Sequence, residues 1–235
     1  MKLKTIYNRF KAFTLAEVLL VVAIIGITAA IALPNLSQSV DEDKYVMLAK
    51  TTYNELDSGF TRMLTNKSIK EIIADAGATT NAAASEAVVN ELSKYIKMGT
   101  NCGTRIQQCH NSSKKYVEYD GSSIEDKTFG ESFTNTGAAF TLPSGAVVVV
   151  MADVRADYDF ARIYFDVDGA KGPSKKGVDI FGAFTNSNTD GLELPSVYGG
   201  ELDTTYDTLT WILANDNMDY LHCNDLNWST KHQCD

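Results

Sequence analysis

The chain has 235 residues, of which 44% are hydrophobic and 22% are charged. This is a normal globular composition, and it excludes a disordered tail, a collagen and a polytopic membrane protein. The 21 basic and 30 acidic residues give a formal net charge of −9, so the chain lacks the overall basic surface that holds nucleic acid phosphates. We therefore do not expect nucleic acid as a partner, although local DNA binding stays open. One medium domain with an appendage is expected.

The first 33 residues combine a basic start with a long apolar run. Residues 1–12 contain four lysine or arginine side chains and no acid, which predicts a cytoplasmic location for this end. As a helix with a rise of about 1.5 Å per residue, the apolar residues 13–33 would cover roughly 31 Å, the thickness of one hydrocarbon core. We therefore expect a membrane span here. It should be a single span, because no second apolar stretch of this length follows.

Glu17 is unusual in a plain membrane anchor. A carboxylate inside an apolar run is costly in lipid, so a charged or hydrogen-bonding partner should neutralise it. Two other interpretations of the segment stay open. One is an unprocessed anchor, and the other is a secretory signal peptide, for which Ala30-Ile31-Ala32 offers small residues near a cleavage point.

The run Lys11-Ala12-Phe13-Thr14-Leu15-Ala16-Glu17, followed by an apolar helix, resembles the processing and methylation motif of type IV prepilins and pseudopilins. The resemblance implies that a membrane peptidase cuts between Ala12 and Phe13 and methylates the new amine of Phe13. It also implies that Glu17 pairs with the amine of a neighbouring subunit during assembly. Two positions depart from the family pattern, since Ala12 stands where glycine is usual and Ala16 where a larger aliphatic residue is common.

Gly26 and Pro34 match positions where pilin helices often carry a glycine and a proline. Pro34 has no amide hydrogen and clashes with the carbonyl of Ala30, while Gly26 is a weak helix former. The segment between them is therefore predicted to kink or melt, which would let a packed filament stretch. For these two residues alone, the alternative is a helix that simply bends as it leaves the membrane.

Beyond residue 34 the pattern predicts two helical regions. Residues 35–66 continue the first helix as an amphipathic one, with an apolar stripe that needs a partner surface. Residues 67–114 form a helical connection, in which Ser68 and Glu71 make a capping box at the start of a short helix that ends near Ala76. A loop over residues 77–84 and a helix over residues 85–98 complete this connection.

Residues 115–235 are predicted to form a β-rich globular head with a C-terminal cysteine loop. Pro143-Ser144-Gly145 is a hairpin turn between two of its strands. The predicted strands are Tyr116–Tyr119, Ala138–Leu142, Ala146–Ala152, Arg162–Val167 and Val178–Phe184. The fold class is therefore α+β, with a mainly antiparallel sheet of four or five strands. The resemblance implies that it is type IV pilin-like, with the sheet packed on a long N-terminal helix. That helix would be transmembrane over residues 13–34, after a cytoplasmic leader (residues 1–12), and then amphipathic.

The four cysteines fall in two local pairs, Cys102 with Cys109 and Cys223 with Cys234. Outside the cytoplasm two short-range disulfides are the economical pairing, although four cysteines permit three connectivities. The second pair resembles the C-terminal disulfide loop of many pilins. A zinc site is an alternative, but it lacks paired Cys-x-x-Cys spacing. Its ligands would come from Cys109, His110, His222, Cys223, His232 and Cys234.

Residues 165–181 bring Asp166, Asp168 and Asp179 together with three glycines. One interpretation is a rigid loop between strands, in which the carboxylates cap turn amides. The other is a calcium site, because hard cations favour clustered carboxylate and carbonyl oxygens, and some major pseudopilins hold Ca²⁺ in a comparable loop. The spacing fits neither an EF-hand nor a P-loop.

The resemblance implies a structural subunit. We do not expect an enzyme, since no serine lies in a Gly-x-Ser-x-Gly context and no His-Glu-x-x-His occurs. We expect a subunit of a type II secretion pseudopilus or a type IV pilus, in the bacterial inner membrane as a single-pass protein with its head in the periplasm or outside the cell. Its partners would be prepilin peptidase, other pilin or pseudopilin subunits, the inner-membrane assembly platform and the lipid bilayer. The alternative is a membrane-tethered extracytoplasmic binding module that does not form filaments.

Overall fold

A computed structural model describes residues 14–118, 121–155, 159–185, 191–194 and 205–234, without the side chains of residues 29–40, 123, 125, 205 and 206. The chain divides into two units inside its first helix, between Asp41 and Glu42, and each unit is described by itself. The helices of the described residues are α1 Leu15–Leu64, α2 Ile69–Asp75, α3 Asn81–Leu92, α4 Phe129–Ser132 and α5 Thr205–Asn215.

The second unit is built around an antiparallel sheet. Eight strands lie in the described part of the chain: β1 Asn101–Gly103, β2 Lys115–Val117, β3 Ser123–Thr128, β4 Ala138–Thr141, β5 Val147–Ala152, β6 Ala161–Asp166, β7 Ile180–Thr185 and β8 Leu192–Glu193. Six of them form one sheet in the order β1-β4-β5-β6-β7-β8, and β2 pairs with β3 in a separate two-stranded sheet. An N-terminal helix followed by a mostly antiparallel sheet confirms the predicted α+β pilin-like class.

Local sequence signals fix two of the predicted elements. Ser68 and Glu71 form the predicted capping box at the start of α2. The hairpin turn at residues 143–145 joins β4 to β5, where Leu142 N–H donates to the Ala146 carbonyl at 2.9 Å. Gly145 has a φ of +95°, a conformation that suits glycine in such a turn.

The predicted helix over residues 85–98 is wrong in its bounds. It begins earlier, at Asn81, because the Thr80 hydroxyl accepts a hydrogen bond from Ala83 N–H at 3.2 Å and so caps the helix. It also ends earlier, at Leu92. The predicted loop over residues 77–84 is correspondingly shorter.

The sequence prediction missed the two helices α4 and α5 and the three strands β1, β3 and β8. The helix α5 lies in the region predicted to be β-rich, because its threonines and aromatic residues favour strands, but Leu209, Trp211 and Ile212 on it are fully buried. The strand β3 reads SIEDKT and contains no apolar run. The strands β1 and β8 are only three and two residues long, which is too short for a periodic pattern to appear.

The sheet is covered on both faces. Phe140, Val148 and Val150 belong to one cluster of buried residues, which also contains buried side chains of α1, α2, α3 and α5. Their strand neighbours Ala139 and Val149 belong to a second cluster, with aromatic side chains from β2 and α4. Burial on both faces explains why β5 is a continuous valine run instead of an alternating pattern.

The part of α1 that lies in the second unit contributes a buried stripe to the first of these clusters. Ala49, Leu56, Phe60 and Met63 have no exposed surface, and their spacing of three, four and seven residues places them on one side of the helix. The stripe makes this part of α1 amphipathic, which is the character that the sequence predicts for residues 35–66. The exposed side of the same segment includes Met47, which is 62% exposed.

Residues near the C-terminus form polar contacts with the same segment of α1. His222 Nε2 lies 2.9 Å from Glu42 Oε2, and Lys50 forms an ion pair with Asp216. A disulfide between Cys223 and Cys234 closes the terminal loop. These contacts join residues that are more than 160 positions apart in the chain.

Replacing Phe60 by alanine tests whether the α1 stripe holds the head together. We expect Phe60→Ala to lower the free energy of unfolding by about 3–5 kcal/mol, because it removes a fully buried aromatic ring and leaves a cavity. Met47→Ala on the exposed side of the same helix is the control, with an expected change within about 0.5 kcal/mol. Urea unfolding followed by tryptophan fluorescence measures both, and equal effects of the two variants would contradict the assignment.

Candidate functional site

Thr14 and Glu17 form a reciprocal cap at the start of α1. Thr14 N–H donates to Glu17 Oε2 at 2.8 Å, and Glu17 N–H donates to Thr14 Oγ1 at 3.2 Å. The Thr14 hydroxyl also donates to Glu17 Oε2 at 2.8 Å. The sequence interpretation missed this arrangement, although the Thr-x-x-Glu pattern is a recognised capping signal. Glu17 therefore has hydrogen-bond partners within its own chain.

The large apolar side chains on both sides of Glu17 are exposed in the first unit. Their exposed fraction ranges from 49% at Val18 to 78% at Leu15, and the exposed set extends to Ile27. Gly26 lies within α1, and a Cβ built on it would meet no atom within 4 Å. An apolar surface of this extent is typical of a segment that is covered by lipid or by another protein.

Several predictions for this segment fall on residues outside the described part. The leader over residues 1–12 and the cleavage point between Ala12 and Phe13 lie there, as does the side chain of Pro34. Within the described residues, no helix combines the length and the apolar character needed to cross a membrane. The membrane span and the melting segment between Gly26 and Pro34 therefore stay predictions.

A group of three carboxylates is the most polar buried feature of the second unit. Asp166, Asp168 and Asp179, which we call the Asp cluster, each place a carboxylate oxygen within 4.8 Å of the others. Asp166 ends β6 and pairs across the antiparallel ladder with Ile180, the first residue of β7, so strand pairing brings Asp166 and Asp179 together. Asp166 and Asp179 are fully buried, and the Asp168 side chain is 10% exposed.

Backbone amides orient Asp179 and Asp166. Asp179 Oδ2 accepts from Ser174 N–H at 2.8 Å, and its Oδ1 accepts from Lys175 N–H at 2.7 Å. Asp166 Oδ1 accepts from Asp168 N–H at 3.3 Å. The cluster is thus part of the connection between β6 and β7, and two of its carboxylates accept hydrogen bonds from backbone amides of that connection.

His110 approaches the cluster from a distant segment. Its Nε2 lies 2.8 Å from Asp166 Oδ2, and both side chains are fully buried. His110 directly follows the disulfide between Cys102 and Cys109, and its N–H donates to the Ile106 carbonyl at 3.0 Å. This disulfide and the 3-10 turn after Arg105 therefore fix the position of the imidazole.

The two disulfides match the local pairing that the sequence favoured, Cys102 with Cys109 and Cys223 with Cys234. The zinc alternative is wrong, because its cysteine sulfurs are consumed in these bonds and provide no thiolate ligands. His110 accordingly meets a carboxylate and not a metal-binding thiolate.

Burial and mutual repulsion act on the ionisable groups in and around the Asp cluster. Burial, followed by the nearby charge of Asp166, raises the pKa of Asp179 to about 7. Burial, followed by the charge of Asp168, raises the pKa of Asp166 well above its ordinary value. Burial lowers the pKa of His110, so this imidazole favours its neutral form. The ammonium group of Lys44, 3.9 Å from Asp168 Oδ2, is the one lysine or arginine contact to the cluster among the described ion pairs.

Three features of the cluster suit a bound cation. Asp168 Oδ1 is buried and has no hydrogen-bond partner among the described protein atoms. A Cβ at Gly172 would lie 2.4 Å from this oxygen and 2.1 Å from Asp179 Oδ2, so the two oxygens face one position that only glycine leaves free. The buried Ser174 hydroxyl is also without a partner. Hard oxygens of this kind are the ligands that Ca²⁺ prefers.

Comparison with known proteins identifies the N-terminal segment only. Residues 7–33 match the family model of the prokaryotic N-terminal methylation motif, a range that includes the predicted cleavage point and Glu17. No significant match was found among curated proteins or among solved structures. The chain therefore carries an N-terminal methylation motif, as type IV pilin-like proteins and pseudopilins do, and an α+β head follows it.

Proposed function

We propose that this protein is a structural subunit of a type II secretion pseudopilus or a type IV pilus. The observation that carries the proposal is the methylation motif at residues 7–33, located at the start of a helix that continues into the core of an α+β head. In this proposal prepilin peptidase cuts between Ala12 and Phe13 and methylates Phe13. Residues 13–34 then hold the subunit in the inner membrane until the assembly platform adds it to a filament with other pilin or pseudopilin subunits.

Glu17 is the residue that would set the register of assembly. In the single chain its carboxylate is satisfied by Thr14, through the backbone amide and the hydroxyl. On assembly the carboxylate would pair with the new amine of Phe13 on a neighbouring subunit, and two opposite charges attract strongly in an apolar environment. The exposed apolar side chains between Leu15 and Ile27 would supply the helix packing around this pair.

The two candidate systems draw support from different parts of the head. The Asp cluster loop, by its resemblance to the calcium loop of some major pseudopilins, favours the secretion pseudopilus. The C-terminal loop closed by Cys223 and Cys234 resembles that of many pilins and favours a pilus. We favour the pseudopilus, with the head in the periplasm.

Replacing Glu17 tests the filament proposal in the native host. We expect Glu17→Val to leave processing intact, with an intact mass that starts at N-methylated Phe13, and to lower the amount of subunit in sheared filaments at least about tenfold, because the assembly ion pair is lost. Thr28→Val is the matched control on the same helix. The Thr28 hydroxyl is already satisfied by the Ile24 and Ile25 carbonyls at 3.0 Å, so this variant should assemble normally.

Three outcomes would contradict the proposal. A mature chain that starts near Ile31 would indicate a secreted soluble protein, and an intact Met1 would exclude prepilin processing. Filament levels of Glu17→Val equal to those of the unchanged chain would favour the membrane-tethered binding module.

A second proposal is that the Asp cluster binds Ca²⁺ through the carboxylates of Asp166, Asp168 and Asp179. The partnerless Asp168 Oδ1, in a side chain that is nine-tenths buried, supports a ligand at this position. The space that Gly172 leaves beside Asp168 and Asp179 supports it further. When bound, the ion would supply the positive charge that three clustered carboxylates lack.

Calcium binding is tested on the full chain in detergent, with a chelator as the metal-free reference. We expect Ca²⁺ at a hundredfold excess over its Kd to raise the free energy of unfolding by about 2.7 kcal/mol. Asp168→Asn should abolish this increase. Asp225→Asn is the control, because Asp225 is an exposed acid that pairs with Lys231. The absence of an increase in the unchanged chain, or an equal increase in Asp168→Asn, would refute the site.

A further inference from the structure

Lys44 and Tyr45 on α1 lie against the outer side of the Asp cluster. Lys44 Nζ is 3.9 Å from Asp168 Oδ2, and the Tyr45 hydroxyl donates to the same oxygen at 3.3 Å. The other oxygen, Asp168 Oδ1, faces Gly172 and the side of Asp179. Asp168 therefore has one oxygen directed to a cationic side chain and one directed to the candidate cation position.

Among the described lysine and arginine side chains, Lys44 alone forms an ion pair with the Asp cluster. Lys114 approaches the same loop, but its ammonium donates to the carbonyls of Lys171 and Gly172, at 2.9 and 2.5 Å, and forms no ion pair with the cluster. Asp166 is contacted by the imidazole of His110, whose Nε2 lies 2.8 Å from Asp166 Oδ2. Among the described ion pairs, Lys44 is thus the lysine or arginine that contacts a carboxylate of the cluster.

We propose that Lys44 is a built-in competitor of the divalent cation, so that Lys44 sets the cation affinity of the Asp cluster. The inference rests on the proposed calcium site. A divalent ion at the cluster would repel the ammonium across the Asp168 carboxylate, since the two positive charges would lie on opposite sides of one group. The Lys44 side chain is 49% exposed, so it can turn into water when the ion binds, at little cost in hydration.

Competition and a purely structural role of Lys44 predict opposite changes in Ca²⁺ affinity when Lys44 is removed. If Lys44 merely held the loop in shape, removing it would loosen the site and weaken cation binding. If Lys44 competes, removing it leaves the Asp168 charge fully available to the ion and strengthens binding. The direction of the affinity change therefore separates the two roles.

The test is Ca²⁺ titration of the full chain in detergent by calorimetry. We expect Lys44→Met to bind Ca²⁺ about fivefold more tightly than the unchanged chain, the size of effect typical of one partly exposed charge pair. Lys44→Arg keeps the charge and should keep the original affinity. Lys50→Met is the matched control on the same helix, because Lys50 pairs with the remote Asp216, and its affinity should not change.

Thermal unfolding is the second measurement, and it shows whether Lys44→Met changes the stability of the fold. In chelator, Lys44→Met should be less stable to heat than the unchanged chain, and Ca²⁺ should remove this difference. The competition is overturned if Lys44→Met binds Ca²⁺ equally or more weakly than the unchanged chain, while the unchanged chain binds Ca²⁺ and Asp168→Asn does not. That result would leave the calcium site standing. If neither the unchanged chain nor Lys44→Met binds Ca²⁺, the site and the competition are both refuted.

Discussion

The buried stripe of α1 from Ala49 to Met63 must be covered by residues that follow it in the chain, and the head is arranged around this requirement. A single helix cannot shield its own apolar side, so a sheet and three helices contribute to the same buried cluster. A sheet wide enough for this purpose has a second apolar face. That face is covered in turn by the separate hairpin of β2 and β3 with the short helix α4. The layers on both sides of the sheet are thus successive consequences of one amphipathic helix.

The Asp cluster lies where three distant segments meet: the segment of α1 that carries Lys44 and Tyr45, the loop that carries His110, and the connection between β6 and β7. Antiparallel pairing brings Asp166 and Asp179 to one end of two neighbouring strands. Backbone amides then hold their carboxylates at fixed orientations, even though like charges repel. Protonation of a carboxylate or a positive charge from outside relieves this repulsion, and the described ion pair to the cluster comes from Lys44, which is far away in sequence.

Signals that involve only a few neighbouring residues could be read from the sequence. The capping box of Ser68 and Glu71 and the turn before Gly145 are of this kind, and so is the gathering of Asp166, Asp168 and Asp179 within fourteen positions. His110 and Tyr45 could not be placed beside the cluster, because they lie 56 and 123 positions away from their partners. The helix α5 was missed for another reason, since burial of Trp211 and its neighbours outweighs the strand preference of their residue types. The cap formed by Thr14 and Glu17 is also a local signal. It was missed because Glu17 was interpreted only as a charge in the membrane.

The contacts of His222 with Glu42 and of Lys50 with Asp216 impose an order on the biogenesis of the chain. They span 180 and 166 positions, so the packing of the second half of α1 is completed only after almost the whole polypeptide has been synthesised. Each disulfide, in contrast, closes a loop of 7 or 11 positions and does not depend on that long-range closure. Folding dominated by such distant pairings is slow. Premature termination of synthesis near residue 200 would therefore leave a fragment that keeps the first cysteine pair but lacks α5 and the contacts of Asp216 and His222 with α1.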